Sequence, residues 1–159
     1  MKPREFHDYR MQVNALIHAA LATIFALYGL FLACPDEQTF FNSEECRLVP
    51  RNCHVWTVFF TAGYLVVETV FIWKYLGMDS AIDRQTFLHH IVAFVNFYLA
   101  FWEQDFTVTI GSACILMEMS TIFVVTRWLL FKHGYKGTTL QALNSVMLFC
   151  TFIFGRVLY

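Results

Sequence analysis

Residues 13–33 read VNALIHAALATIFALYGLFLA, and this stretch sets the class of fold. A helix that crosses the hydrocarbon core of a bilayer needs about 20 mostly apolar residues, and this segment reaches that length without a charged side chain. The whole chain of 159 residues is 58% hydrophobic, 18% aromatic and 14% charged. A soluble domain this short cannot bury so much apolar surface. The composition therefore predicts a membrane protein and argues against a soluble enzyme, a disordered chain or, at a net charge of −1, a nucleic-acid binder.

Four more apolar stretches follow along the chain. The predicted spans lie at residues 13–33, 55–76, 85–102, 106–131 and 140–159, with an outer loop at residues 34–54. Lipid offers the backbone no hydrogen-bond partners, so a spanning segment is either a helix or a strand of a closed barrel. No stretch here alternates as a barrel strand does. We predict an all-α fold, a polytopic transmembrane helical bundle of about five spans that forms a single domain over residues 1–159.

Charged residues outside the spans are divided unequally between the two sides of the predicted bundle. With an odd number of spans, the N-terminus and the second and fourth loops share one side. That side holds Lys2, Arg4, Arg10, Lys74, Arg84, Lys132 and Lys136, whereas the other side holds Arg47, Arg51 and the acidic residues Asp36, Glu37, Glu44, Glu45, Glu103 and Asp105. The positive-inside rule then places the N-terminus on the cytoplasmic side of a membrane, or on the matrix side in a mitochondrion.

The five cysteines fall into two groups. Cys114 and Cys150 lie inside predicted spans, where a thiol serves as a small apolar side chain. Cys34, Cys46 and Cys53 flank the outer loop, on the side that is predicted to be lumenal or to face the intermembrane space. These three are candidates for one disulfide, and their odd number leaves at least one thiol over.

Polar residues inside the spans fall at a common depth. A charged side chain at the centre of a membrane helix costs roughly 2.5–3.5 kcal/mol, so each one needs a reason. At a rise of about 1.5 Å per residue, several of them lie roughly 5–12 Å below the basic surface. We predict a polar, lipid-contacting chamber in the inner leaflet that is built from His18, Glu68, Asn96, Ser120, Arg127 and Asn144. The alternative is that these side chains form hydrogen bonds between helices, and that Arg127 extends to the nearby membrane–water interface.

Three further residues have catalytic potential if the chain is an enzyme: His89, His90 and Glu118. Histidine is the natural proton carrier near neutral pH, and a carboxylate beside it can fix its tautomer. Adjacent histidines project about 100° apart on a helix, so they do not form the one-face pair that binds a metal. We predict no metal and no cofactor.

Several short motifs resemble the TLC domain, a membrane domain shared by ceramide synthases, translocon-associated TRAM proteins and a group of transmembrane TLC-domain-containing proteins. They are Phe87-Leu-His-His-Ile, Phe97-Tyr98, Leu116-Met-Glu-Met-Ser-Thr-Ile-Phe and Thr126-Arg-Trp-Leu. The sequence is most similar to the last group. The resemblance implies an endoplasmic-reticulum location; a mitochondrial inner-membrane complex is the alternative. The family's domain also has a helix before Lys2 and another after Tyr159, so we expect a domain shortened at both ends.

The resemblance also bears on activity. In the ceramide synthases the paired histidines and a later His-Asp-x-Ser-Asp motif belong to the acyl-transfer site, and His89 and His90 match the pair. At the second motif this chain has Met117-Glu-Met-Ser-Thr121, which lacks the histidine and the final aspartate. This departure puts ceramide synthesis in doubt.

Three functions remain open at this point. The first is a non-catalytic, lipid-contacting scaffold subunit of a larger membrane complex, whose partners are membrane lipids and other membrane proteins. The second is a lipid-handling acyltransferase, in which His89 or His90 acts as base or acyl acceptor and Glu68 or Glu118 orients it. The third is a lipid sensor that uses the histidine pair without turnover.

Overall fold

The computed structural model describes residues 3–35, 38–78, 80–103 and 106–156. Its helices are α1 (Pro3–Phe31), α2 (Glu44–Leu48), α3 (Asn52–Phe71), α4 (Ala81–Glu103), α5 (Phe106–Cys114), α6 (Glu118–Lys132) and α7 (Thr139–Arg156). A π-helical turn at Ile72–Leu76 continues α3, and a 3-10 turn at Ile115–Met117 joins α5 to α6. The described residues contain no strand, and the predicted all-α helical bundle is confirmed.

Five long helical segments occupy the regions of the five predicted spans. Among the described residues, three segments are long and apolar enough to cross a membrane: Arg4–Phe31, Glu44–Leu76 and Thr107–Lys132. Thr139–Gly155 is a shorter apolar helix. Helix α1 begins at Pro3, well before residue 13, because helical geometry continues past the apolar stretch whereas hydropathy marks only the part that lipid surrounds. Residues 157–159 of the fifth predicted span, and Lys2, Asp36, Glu37 and Asp105 of the charge pattern, lie outside the described residues.

Helix α1 is the central helix, and small side chains let its neighbours approach it. Ala19, Ala22 and Ala26 are fully buried on the face that continues to Gly29. Small residues at such spacing allow close contact between membrane helices, where dispersion forces do much of the stabilising. At Gly29 the approach is closest, because an added Cβ would lie 2.8 Å from Cδ2 of His54 on α3.

The bundle carries its apolar side chains on the outside. Trp56 and Val67 on α3 are 72% and 68% exposed, whereas Thr57 and Thr61 on the same helix are almost completely buried. A soluble bundle shows the reverse arrangement, with polar residues facing solvent. The exposed apolar surface therefore fits lipid as the surrounding medium.

The outer loop is fixed to the bundle by a disulfide. Cys34 follows the end of α1 and is bonded to Cys46 in α2. The backbone N–H of Cys46 donates to the hydroxyl of Ser43, which caps α2. Cys53 has a free thiol.

Helix α4 contacts only part of the bundle. It packs on α3 and α5, and in the described part of the chain its backbone makes no close contact with α1 or α6. Its first turn is instead tied to α1 by an ion pair, in which a guanidinium nitrogen of Arg4 lies 2.8 Å from a carboxylate oxygen of Asp83. The space between α4 on one side and α1 and α6 on the other is where the polar residues meet.

Candidate functional site

A buried pair of ionisable side chains forms the centre of the site. Glu68 lies near the end of α3, and His90 lies about one and a half turns after residue 85, where the apolar stretch of α4 begins. Both side chains are more than nine-tenths buried. The Nε2 atom of His90 is 3.3 Å from Oε2 of Glu68. The other ring nitrogen of His90, Nδ1, has no hydrogen-bond partner among the described residues. The carboxylate of Glu68 therefore orients the imidazole of His90.

The pair faces a cavity of about 720 Å³ between α1, α3, α4 and α6. Tyr64 and Glu68 from α3, His89 and His90 from α4, and Glu118 from α6 contribute to its wall. Glu118 is half-buried at the start of α6, directly after the 3-10 turn. The tighter winding of that turn changes the direction in which α6 presents its side chains, and Glu118 lies on the cavity side. We call this space the chamber.

The rim of the chamber, which lies near the starts of α1 and α4, is charged. Arg4 and Asp8 contribute from α1, and Asp83 contributes from α4. The Arg4–Asp83 ion pair crosses this rim and joins the two helices. The backbone N–H of Asp83 is bonded to the hydroxyl of Ser80, which caps α4 and fixes the position of Asp83. The rim therefore lies at the same end of the bundle as the N-terminus.

An aromatic stack closes the end of the chamber that lies deepest in the bundle. The imidazole of His18 on α1 lies parallel to the ring of Tyr64, with 3.7 Å between ring centroids and an angle of 5° between the planes. The ring of His18 also stacks on Phe60. His18 is almost fully buried, and neither of its ring nitrogens has a partner among the described residues. Tyr64 thus lies between His18 and the chamber: its ring contacts His18, and Tyr64 itself forms part of the chamber wall.

Comparison with known proteins identifies the family. The model of the TLC domain matches residues 9–159, which is nearly the whole chain. The chain belongs to the TLC domain family. Comparisons with curated proteins and with solved structures gave no significant match. The protein is therefore a multi-pass integral membrane protein of the TLC type.

Four of the predicted site residues meet in the chamber of this TLC domain: Glu68, His89, His90 and Glu118. His89 is exposed on its surface, and Glu68 with His90 forms its buried centre. No group of three or more His, Cys, Asp or Glu side chains in the described residues is placed to hold a metal ion. The chamber can therefore offer hydrogen bonds and charge to a ligand through these side chains.

The other residues predicted for the chamber are not among those that line this cavity. Asn96 is exposed on α4, and its side chain donates to the carbonyl of Val92 one turn earlier. Arg127 is exposed on α6, with its guanidinium over the ring of Phe131. Arg127 lies at a suitable depth but projects from another face of α6, whereas Asn96 lies on another face of α4 and about 9 Å further along the helix than His90. His18 lies behind Tyr64, as described above.

Ser120 and Asn144 have structural contacts instead. The hydroxyl of Ser120 donates to the carbonyl of Met117 in the 3-10 turn that precedes α6. The side-chain amide of Asn144 on α7 donates to the carbonyl of Phe123 on α6 at 2.9 Å. Such a bond between membrane helices contributes about 0.6 kcal/mol on average, so Asn144 holds α7 to α6 rather than binding a ligand.

The rim residues Arg4 and Asp8 were not predicted as part of the site, although their spacing along α1 indicates the face on which they lie. Residues 4, 8, 11, 15 and 18 are spaced by four, three, four and three positions, so they share one face of α1. Arg4 and Asp8 lie on that face but outside the apolar run, and a search limited to polar residues within spans does not reach them. Tyr64 and Glu68, spaced by four on α3, follow the same rule.

Proposed function

We propose that this TLC protein is a non-catalytic, lipid-contacting membrane protein that holds the headgroup of a membrane lipid in the chamber. The observation that carries the proposal is the buried Glu68–His90 pair, which faces a cavity of about 720 Å³. A hydrogen bond that serves only to hold two helices together needs no such space. Helix α4 makes no close backbone contact with α6 within the described residues, so a lipid has a lateral route from the bilayer.

The charges around the chamber limit the kind of headgroup. Four carboxyl groups contribute to its wall, from Asp8, Glu68, Asp83 and Glu118, against the single guanidinium of Arg4. An anionic headgroup would place further negative charge beside them, in a partly buried site where repulsion is weakly screened. A neutral headgroup, or one that carries an ammonium, fits this field. We therefore expect zwitterionic lipids to bind in preference to anionic ones.

The direct test is to identify the lipid that accompanies the protein. We expect mass spectrometry of protein released from nanodiscs of mixed composition to show a retained zwitterionic lipid, enriched over phosphatidylserine and phosphatidylglycerol. Glu68→Gln removes a charge from the chamber and should reduce retention. Asn96→Ala is the matched control, because Asn96 is exposed and bonds only to its own helix. Equal retention of all lipid classes by the wild-type protein would contradict the proposal.

An acyltransferase is the second candidate, and the arrangement of His90 supports it. A carboxylate that orients an imidazole, with the other nitrogen free, is the arrangement of a general base. Against it, Met117 and Thr121 replace the histidine and the final aspartate of the acyl-transfer motif. If the protein is an enzyme, His90→Ala should lower the rate of acyl transfer by about 10²–10⁴-fold. No acyl transfer by the wild-type protein to any amine or hydroxyl lipid would leave the binding role.

The scaffold form of the proposal adds other membrane subunits as partners. Helix α7 packs only on α6 and the 3-10 turn within the described residues, and its outer face exposes Leu143 and Phe154. Such a face suits either lipid or a neighbouring apolar helix. We expect the protein extracted from its native membrane in a mild detergent to migrate with at least one further membrane protein. Migration as a single small particle would exclude a stable complex.

We also propose that the end of the bundle with the chamber faces the cytoplasm, or the matrix in a mitochondrion. Described basic residues support this orientation, since six of them lie at this end: Arg4, Arg10, Lys74, Arg84, Lys132 and Lys136. The Cys34–Cys46 disulfide at the opposite end supports it independently, because disulfides persist on the oxidising side of a membrane.

A further inference from the structure

His54 lies where the end of α1 meets the start of α3, and it is only 1% exposed. A Cβ on Gly29 would lie 2.8 Å from Cδ2 of His54, so the ring packs directly on the backbone of α1. The hydroxyl oxygen of Ser112 on α5 lies 3.6 Å from the same position. Three helices therefore meet around this imidazole, at the end of the bundle that also carries the Cys34–Cys46 disulfide. We call this the disulfide end.

Both ring nitrogens of His54 bond to backbone groups at helix ends. Arg51 is the N-cap of α3, and its backbone N–H donates to Nδ1 of His54 at 3.1 Å. Nδ1 therefore carries no hydrogen, and in the neutral ring the proton lies on Nε2. Nε2 donates to the carbonyl of Gly29 at 3.1 Å. This carbonyl lies in the last turn of α1, where carbonyls lack a helical partner, so the ring joins the end of α1 to the start of α3.

Protonation of this imidazole is incompatible with the two bonds. A protonated ring carries an N–H on each nitrogen, so Nδ1 of His54 would change from acceptor to donor and face the backbone N–H of Arg51. Two donors in contact form no hydrogen bond, and the ring is buried too deeply for water to solvate its charge. His54 therefore fits this site only in its neutral form.

The charged groups of the disulfide end do not favour a positive ring. The titratable side chains that the packed elements bring to this end are Tyr28, Glu44, Glu45, Arg47, Arg51, Cys53 and Glu103. Among the described side chains, Arg51 is the charged group that acts on the ring of His54, and its positive charge opposes a second one. Its guanidinium lies 3.7 Å from a carboxylate oxygen of the exposed Glu45. Helix α5 carries no charged residue, and α1 carries none after residue 12, so neither helix offsets a proton on His54.

We propose that His54 is a pH-sensitive latch, which holds α1 and α3 together at the disulfide end while it is neutral and releases them when it takes up a proton. The proton comes from water, binds to Nδ1 and leaves again when the pH rises, so only an N–H bond is made and broken. The Cys34–Cys46 bond keeps the chain ends close throughout, which makes the release local and reversible. The latch is independent of lipid binding in the chamber.

Hydrogen exchange of the protein in nanodiscs, followed by mass spectrometry of its peptides and corrected for the chemical exchange rate, tests the latch. An open junction exposes a histidine that titrates at a pKa of about 6.5, whereas the closed junction takes up no proton. The open fraction at residues 29–33 and 52–56 should therefore rise about tenfold between about pH 7.5 and about pH 5.5. Helix α7 is the internal reference, because it packs on α6 and the 3-10 turn in the described part of the chain, and its protection should not change.

Two variants assign the effect to one ring. His54→Gln keeps an amide donor for the carbonyl of Gly29 but does not titrate, so the tenfold rise should disappear. His133→Gln is the matched control, because His133 is exposed after the end of α6, and it should keep the rise. If His54→Gln does not fold, His54→Asn replaces it under the same criteria.

Three results would overturn the latch. The first is an equal open fraction at both pH values in the wild-type protein, and the second is a tenfold rise that persists without the His54 ring. The third is an equal rise in α7, which would mean that acid loosens the whole bundle. The assay needs no lipid ligand, so its failure leaves the lipid-binding proposal intact, and loss of lipid retention leaves the latch intact.

Discussion

Replacing Glu68 with alanine is expected to destabilise the folded protein by about 1–3 kcal/mol, because it leaves a buried ring nitrogen of His90 without its hydrogen-bond partner. His90 would keep its buried ring and lose the carboxylate at 3.3 Å. The opening of the pair into the chamber favours the lower part of this range, since water can replace the lost hydrogen bond there. Reversible unfolding of the purified protein in detergent micelles measures the change.

Asp83→Ala is the matched control for that substitution. Asp83 is another carboxylate of the chamber wall, but its partner Arg4 has a side chain that is 48% exposed. An exposed ion pair contributes about 0–1 kcal/mol, so this variant should unfold almost as the wild type does. The double replacement of Glu68 and His90 by leucine should cost less than either single replacement, because it removes both polar groups together. Equal losses for Glu68→Ala and Asp83→Ala would show that the buried pair has no special weight.

The second large effect is expected at Gly29. Its Cβ in a Gly29→Ala variant would lie 2.8 Å from Cδ2 of His54, so α1 and α3 must separate or His54 must move. Overpacking of a tight contact costs about 1–3 kcal/mol, and movement of His54 would also weaken its bond to the carbonyl of Gly29. A lowered unfolding midpoint, with the same helical content by circular dichroism, is the expected result.

Gly63→Ala on α3 provides the opposite outcome as a control. A Cβ at Gly63 would meet no atom within 4 Å, and replacing glycine by alanine within a helix gains about 0.5–1 kcal/mol. The two substitutions are chemically identical, so a difference of sign between them isolates the contact at His54. A stabilised Gly29→Ala variant would mean that the helices do not pack this closely.

The sequence predicted the fold because lipid imposes a simple rule on the backbone. Long apolar runs must be helices, and the segments around residues 13–33 and 106–131 leave little choice. Hydropathy predicts the ends of the helices less well, because α1 continues toward Pro3 through charged residues that a hydropathy criterion excludes. The same rule says nothing about neighbours, so the pairing of Cys34 with Cys46 rather than Cys53 came from the structure.

The site was predicted only in part, because depth is one coordinate and rotation about the helix axis is another. Glu68 and His90 come from neighbouring helices at one level, and they do meet. Asn96 is six residues after His90, which turns it by about 240° to another face of α4. Arg127 is nine residues after Glu118, which places it on the opposite side of α6. Counting these angles along with the depths would have removed both residues from the chamber.

The covalent link in the outer loop has a mechanical consequence for the rest of the molecule. Cys34–Cys46 joins the end of α1 to the segment that leads into α3, and α2 rests on α5. Three helices are thereby clamped at one end of the bundle. At the other end, α4 is joined to α1 across the rim by the Arg4–Asp83 contact, whose strength depends on salt. We therefore expect any widening of the chamber to move α4 away from α1 at the rim, while the crosslinked helices α1, α3 and α5 keep their arrangement at the opposite end.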